Sequence, residues 1–344
     1  MRKGIIVAGG TGGHIYPGIA IGKKLKALYK DINVLFVGRN KEMEKYIYRK
    51  ENLEFRGINI RAKGVLFFIG FMESLFLIVR YKPDFVIGLG SYISFPMVFW
   101  AYLFGIPVFM QEQNVKPGVV TKISEGWVDK IFFGYGESSL FVKFKEKIKI
   151  TGNPLRFKES RSPCKDKREI LVFGGSLGAE KINNIVIKIV RYINENNIPF
   201  PYKFIMITGK KLYKNFAHYE DEKFLKIYAY VDDIEKYYKR AVLVIARAGA
   251  LTVSEIAFFG IPAIFIPWSL AKKNHQKANA EFLVKSKQAV LIEDENLSVD
   301  LLWKEIYNIL RDRKKLKSFH FNTFKFLFKD SAEKIAKFVI EFIK

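Results

Sequence analysis

Four glycines in five positions, Gly9-Gly10-Thr11-Gly12-Gly13, close an apolar run at residues 4–8 and lead directly into His14. Gly174-Gly175-Ser176-Leu177-Gly178-Ala179 closes a similar run at residues 170–173. Each reads as a buried strand, a tight turn and a helix start. Glycine lets the backbone come close to an anion, and a helix N-terminus offers unpaired N–H groups to it. A chain that does this twice has places for two phosphate-bearing molecules, one per half. The first turn lacks the G-x-G-x-x-G spacing of a dinucleotide fingerprint and the Gly-Lys-Ser/Thr of a P-loop. His14 would donate to a phosphate, act as a base, or simply cap the turn.

Four further clusters follow apolar runs. Gly88-Leu89-Gly90-Ser91-Tyr92 is either a ligand loop beside the first turn or a plain turn into an apolar helix. Glu112-Gln113-Asn114 offers the donors and acceptors that sugar hydroxyls need, unless it is a solvated loop. Residues 247–255, RAGALTVSE, read as a loop and a helix start, with Gly260 closing the helix and Pro262 beyond it. That start suits a diphosphate, and Glu255 would accept from ribose hydroxyls or complement the helix dipole. Asn274-His275-Gln276 with Asn279 suits a neutral sugar, or else a polar surface turn. No His-x-x-x-His and no paired Asp-x-Asp at a strand end is present, so no metal site is indicated, and a nucleophilic serine or cysteine finds no base among these clusters.

These clusters need a scaffold that delivers loops to common edges. Strand-like runs at residues 4–8, 33–37, 85–89, 108–111 and 130–133 alternate with helix-length stretches, as do runs at 170–173, 203–208, 227–230, 242–246, 263–266 and 289–292. The alternation predicts parallel sheets with crossover helices, in which ligands lie at the C-terminal ends of the strands. The polar stretch 152–167 predicts the break between two domains, and residues 331–344 an amphipathic helix. The chain has 344 residues, 49% hydrophobic and 27% charged, which suits folded domains with real cores. One cysteine excludes an internal disulfide framework or a cysteine zinc cluster. Lys and Arg outnumber Asp and Glu 58 to 34, giving +24, which favours anionic partners or reflects a lysine-rich proteome. The N-terminus carries no apolar signal-peptide core. The apolar stretches 65–79 and 95–110 are too short or too interrupted to be read as membrane spans.

With these residues assembled, the chain resembles a GT-B glycosyltransferase and, more narrowly, the MurG family of N-acetylglucosaminyltransferases of peptidoglycan synthesis. The resemblance runs nearly end to end. It rests on Gly9 to His14 with Pro17-Gly18, Gly88 to Tyr92 with Ser94 and Pro96, Glu112 to Asn114, Gly152 to Arg156, Gly174 to Ala179 with Asn183, Arg247 to Glu255, and His275-Gln276 with Asn279. Ser91 and Phe95 stand where the family usually has glycine. The resemblance implies an α/β fold of two Rossmann-like, doubly wound parallel-sheet domains separated by a cleft. Residues 1–156 plus 329–344 would form the acceptor and membrane-associating domain, residues 157–328 the UDP-sugar donor domain, and the C-terminal helix would return to the first.

For the donor, the resemblance implies that Val231 meets the uracil through its backbone and that Glu255 holds the ribose. Ser176 and the Ala250-Leu251-Thr252 backbone would hold the diphosphate. Gln276 and Asn279 would read the sugar, joined by Asn114 and Arg156 from the first domain. For the acceptor it implies Thr11, Gly12, Gly13, His14, Gly90, Ser91 and Tyr92. The implied reaction moves N-acetylglucosamine from UDP-N-acetylglucosamine to lipid I, giving lipid II with inversion and without a metal or cofactor. His14 is the first candidate base and Glu112 the second.

A prenyl-linked acceptor gives the apolar stretch a use. Leu66, Phe67, Phe68, Phe71 and Phe76 would dock on an anionic membrane with nearby lysines, on the cytoplasmic face of the cell membrane, unless that helix is buried under the sheet. Other cell-wall synthesis proteins are possible partners. Three rival readings are a diacylglycerol glycosyltransferase, a UDP-sugar epimerase, which needs no lipid surface, and a basic nucleic-acid-binding protein. The spread of the lysines and the lack of a base-reading motif argue against the last.

Overall fold

Near-continuous Ile, Val and Phe strands stay buried only when helices cover both faces of a parallel sheet. The computed structural model describes residues 1–157, 168–175, 178–269, 274–311 and 330–344. It divides into two compact units, Met1–Arg156 with Phe328–Lys344, and Phe157–Leu327.

The first unit runs β1 (Arg2–Val7), α1 (Gly12–Leu28), β2 (Ile32–Arg39), α2 (Glu42–Lys50), β3 (Phe55–Ile58), α3 (Val65–Tyr81), β4 (Phe85–Gly88), α4 (Ser94–Leu103), β5 (Val108–Glu112), α5 (Val119–Ser124), β6 (Lys130–Phe133) and β7 (Ile148–Ile150). The second runs β8 (Glu169–Phe173), α6 (Glu180–Glu195), β9 (Lys203–Ile207), α7 (Tyr213–Phe216), β10 (Leu225–Tyr228), α8 (Ile234–Arg240), β11 (Ala241–Ala246), α9 (Ala250–Phe259), β12 (Ala263–Phe265), α10 (His275–Lys285), β13 (Ala289–Leu291) and α11 (Val299–Arg311). The last helix, α12 (Ser331–Phe342), returns to the first unit and packs on α1.

Every strand pairing is parallel. The period of two divides each strand between two cores. Ile5 and Val7 face α3 and α4, while Ile6 and Ala8 face α1 and α12, and all four are fully buried. In the second unit Leu243 and Ile245 face α6 and α11, while Val244 and Ala246 face α8, α9 and α10. Tyr48 on α2 is buried at the first of these sheets and gives its hydroxyl hydrogen to the Ala8 carbonyl.

The strand orders are β3-β2-β1-β4-β5-β6-β7 and β10-β9-β8-β11-β12-β13. Each therefore reverses direction once, between β1 and β4 and between β8 and β11, and doubly wound sheets open a ligand crevice at that switch. Both glycine-rich turns follow a switch strand. The doubly wound fold expected from the sequence is the fold observed. The expected strands omit β3 and β7, the two edges of the first sheet. Each has only part of its surface covered and carries a cation, Arg56 and Lys149, which breaks the apolar run.

Candidate functional site

The turn after β1 is gripped from behind by an ion pair. Glu44 on α2 is fully buried and accepts from the Gly10 N–H (3.0 Å), the Arg39 N–H (2.8 Å) and Arg39 Nε (2.7 Å). Arg39 in turn donates from Nη2 to the Gly10 carbonyl (2.7 Å). Burial works against the Arg39 charge, but its bonds to Glu44 and a further side-chain bond to Tyr92 outweigh it and raise its pKa. One guanidinium thus ties the glycine turn to the loop after β4, and Leu89 N–H bonds the Val7 carbonyl (3.1 Å) beside it. Gly10 has φ +98°, where a side chain is strained. A Cβ on Gly13 would meet Thr11 Oγ1 at an ordinary 3.6 Å, so packing within the chain does not demand glycine there. Thr11 is exposed and its side chain does not cap α1, whose first turn holds no acid.

His14 lies in the first turn of α1, with Nδ1 3.0 Å from Gln113 Oε1. Burial lowers its pKa below 6.5, partly offset by the charge of Glu112 and by bonds with Gln113 and Leu89. The residues 112–114 do not form a solvated loop. Gln111, Glu112 and Gln113 are at most 2% exposed. Glu112 accepts from the Asn114 N–H (3.0 Å), Asn114 Nδ2 (3.0 Å), the Gly118 N–H (2.8 Å) and Thr121 Oγ1 (2.7 Å). A carboxylate with four donors on its two oxygens is scaffold for this loop and is poorly placed to take a substrate proton, which corrects its candidacy as a base. Asn114 is committed to Glu112 through Nδ2. Ser91 accepts from the Ile93 N–H (3.3 Å), and Gly90 has φ +78°. Arg156 stacks 3.9 Å over the Tyr16 ring.

In the second unit the turn after β8 is shaped by contact. A Cβ on Gly178, at φ +80°, would fall 2.0 Å from the Thr208 carbonyl oxygen. Ser176, expected at the diphosphate, lies outside the described residues. On the neighbouring switch strand, β11 ends at Ala246 and α9 begins at Ala250, with half-buried Leu251 and Thr252 in its first turn and no acid there. Gly260 closes α9 in the left-handed region at φ 62°. Arg247 Nη1 binds Asp294 Oδ1 (2.6 Å) and the carbonyls of Ile266 (3.0 Å) and Pro267 (3.2 Å), fixing the approach to α9. Glu255 is 7% exposed and accepts from the Tyr238 hydroxyl at 2.9 Å, which fixes its carboxylate. Gln276 accepts from the Trp268 N–H (2.9 Å), and buried Asn279 points Nδ2 at the Ala248 carbonyl (3.3 Å). Val231 follows β10, half-buried against the core under α8 and α9. Among the described residues no group of three or more His, Cys, Asp or Glu could hold a metal ion.

The apolar stretch at 65–79 lies in α3, a helix that is apolar on its packed face and on its exposed face alike. Phe67 and Phe71 turn inward to Phe95, Phe99 and Trp100 of α4 at ring separations of 4.8–6.2 Å. They do not belong to an outward patch, and Leu66 is half-buried. The exposed stripe is instead Val65, Phe68, Ile69, Met72, Phe76 and Val79, spaced for one helical face and flanked by exposed Lys63, Arg80 and Lys82. Exposed Tyr102, Leu103 and Phe104 end α4 on the same side of the sheet. No described helix is long and apolar enough to cross a membrane.

Sequence reasoning did not find Arg39, Glu44, Gln111 or Tyr238. Arg39 ends a strand and Glu44 opens a helix, signals that only become a pair once both meet at the turn.

Comparison with known proteins agrees with this geometry. Residues 5–133 match the glycosyltransferase family 28 N-terminal domain, and residues 169–335 the family 28 C-terminal domain. The UDP-N-acetylglucosamine–N-acetylmuramyl-(pentapeptide) pyrophosphoryl-undecaprenol N-acetylglucosamine transferase of Acetivibrio thermocellus is 34% identical, covering 99% of this chain and 98% of that protein. The enzyme of the same name from Halothermothrix orenii is 37% identical over 92% of each. The crystal structure of Acinetobacter baumannii MurG shares the fold, with a TM-score of 0.79, 23% identity, and 99% and 100% of the two chains covered. The UDP-GlcNAc 2-epimerase from Neisseria meningitidis shares it at a TM-score of 0.72 and 12% identity, over 99% and 100% of the two chains. With end-to-end relatives above 30% identity and both domain models matched in order, the chain belongs to glycosyltransferase family 28 and, within it, to the MurG family.

Proposed function

We propose that the chain transfers N-acetylglucosamine from UDP-N-acetylglucosamine to the C4 hydroxyl of N-acetylmuramyl-pentapeptide pyrophosphoryl-undecaprenol, lipid I, yielding lipid II. The observation that carries this is the end-to-end match to relatives of that name, in a chain with a glycine-rich turn at the switch point of each sheet. In this reading the first unit binds the acceptor diphosphate at residues Thr11, Gly12 and Gly13 with Gly90, Ser91 and Tyr92. The unforced glycine at 13 supports it, because a bare backbone there serves a ligand rather than the fold. The second unit binds UDP: Val231 at the base, Glu255 at the ribose, and Ser176 with the Ala250, Leu251 and Thr252 backbone at the diphosphate. Gln276 and Asn279 read the sugar, and Asn114 and Arg156 are assigned as further donor-binding residues.

The acceptor hydroxyl oxygen forms the new bond to the anomeric carbon as the bond to the UDP oxygen breaks, with inversion. The electron pair leaves on the diphosphate, and the hydroxyl proton passes to His14. Helix-terminal N–H groups aimed at the departing oxygens stabilise that charge without reorganising, so transfer is expected to continue with divalent ions chelated. The decisive assay follows radiolabel from UDP-N-acetylglucosamine into a lipid I analogue in the presence of chelator. No labelled lipid product would overturn the reading, and a product formed equally well with diacylglycerol would redirect it.

We also assign the α3 stripe to peripheral docking on the cytoplasmic leaflet. Apolar side chains insert while the flanking cations meet anionic lipid. Replacing Phe68, Met72 and Phe76 with serine is expected to abolish pelleting with anionic vesicles. Pelleting at the wild-type level would count against the assignment.

A further inference from the structure

We propose that Gln113 is a positioning residue that holds the proton of neutral His14 on Nδ1, so that the basic lone pair of the ring lies on Nε2. The inference rests on His14 as the base and names what sets that base.

The argument is a chain of buried amides whose direction is anchored on the main chain. The Gln113 carbonyl can only accept, and Asn153 Nδ2 donates to it (3.0 Å). Asn153 Oδ1 is therefore an acceptor, and Gln111 Nε2 donates to it (3.1 Å). Gln111 Oε1 must then accept, and its partner is Gln113 Nε2. The same nitrogen also faces the carbonyls of Gln111 (3.3 Å) and Leu89 (3.4 Å), which fixes the orientation a second time. Gln113 Oε1 is left as an acceptor, and the atom in front of it, at 3.0 Å, is His14 Nδ1. An imidazole that donates from Nδ1 keeps its lone pair on Nε2.

The four side chains sit where a neutral relay is stable. Gln111 and Gln113 are at most 2% exposed and Asn153 is 6% exposed, and each bond satisfies a group that would otherwise be buried unpaired. The charged group acting on the ring is Glu112, on the strand end beside it. Its oxygens are bound by Asn114, Gly118 and Thr121, so it acts on His14 through charge alone. As the ring takes the substrate proton, Gln113 and Glu112 both favour the imidazolium. This separates two tasks: a neutral amide sets which nitrogen reacts, and a fixed carboxylate steadies the charge that results.

The test begins on the unaltered protein. The chain has four histidines, and His14→Ala identifies the His14 resonances in nitrogen-15 spectra. Above its pKa, His14 is expected to show a protonated Nδ1 and an unprotonated Nε2. The opposite tautomer overturns the proposal without any variant having to fold. Gln113→Leu removes the acceptor and is expected to release the tautomer and lower kcat at least ~10-fold with the KM for UDP-N-acetylglucosamine unchanged. Gln113→Glu keeps the acceptor and adds charge. It is expected to retain the tautomer and to move the acid limb of the pH–rate profile upward. Wild-type kcat in Gln113→Leu, together with an unmoved limb in Gln113→Glu, overturns the proposal. A fully active His14→Ala overturns the base reading instead, while the tautomer measurement still reports on Gln113.

Discussion

At the turn after β1 the backbone is held by charge: Glu44 and Arg39 clasp Gly10 at both its N–H and its carbonyl. At the turn after β8 the described backbone is held by contact, with Gly178 pressed on the Thr208 carbonyl. The two turns look alike in sequence, yet the first is wired to a histidine and a buried amide relay, and the second lies across the sheet switch from a helix start. Under the proposed function the first turn would aim a base, which calls for hydrogen bonds that fix direction, and the second would receive a diphosphate, which calls for close approach and N–H groups of the kind glycine and a helix terminus supply.

The comparison breaks first at Glu44. Glu44→Gln keeps the shape but leaves Arg39 without its counter-charge, and losing one partner of a buried pair costs about 3–5 kcal/mol. The low end applies, since the Arg39 side chain is 27% exposed. Denaturant unfolding is expected to show that loss, with UDP affinity by calorimetry unchanged; a matching loss of UDP affinity would mean that the turns do not work separately. Gly178→Ala is expected to do the reverse, weakening UDP binding and costing about 1–3 kcal/mol through a strained φ and the forced contact. Gly13→Ala sharpens the distinction. It should change unfolding free energy by less than about 1 kcal/mol, as a glycine-to-alanine change in a helix does. It should still raise the KM for the lipid acceptor, and an unaltered KM would return Gly13 to ordinary turn chemistry.

The smallest effect concerns α12. Bonds from Lys337 and then Lys24 pull the Glu333 pKa from 4.5 down to about 2. A lowered carboxylate pKa contributes stability above the unfolded value, and the contribution is lost as pH falls through the folded one. The Tm gap between wild type and Glu333→Gln is therefore expected to close between pH ~4.5 and ~2. A gap that is constant across that window would remove these bonds from the docking of α12.

The sheets and both turns were legible in the sequence because their signals are local: short apolar runs, then glycine. Edge strands β3 and β7 were not, since Arg56 and Lys149 interrupt them where solvent permits. Phe67 and Phe68 are neighbours in sequence and their rings meet edge to face, yet Phe67 packs on Phe95 while Phe68 is exposed, so a run of aromatics did not say which would face outward. The residues 112–114 were legible as polar and not as buried, because the partners that satisfy them, Gly118, Thr121 and Asn153, come from elsewhere in the chain. Ion pairs and relays of this kind form only after folding and leave no periodic trace.

The last helix gives the chain an unusual order of completion. Ile335, Ala336, Val339 and Ile340 cover α1, so the first unit to be translated waits for the last residues before its surface is sealed. The second unit can finish while the first still bares an apolar stripe on α1. A chain cut ahead of Ile335 is thus expected to expose that stripe and to lose stability in its first unit.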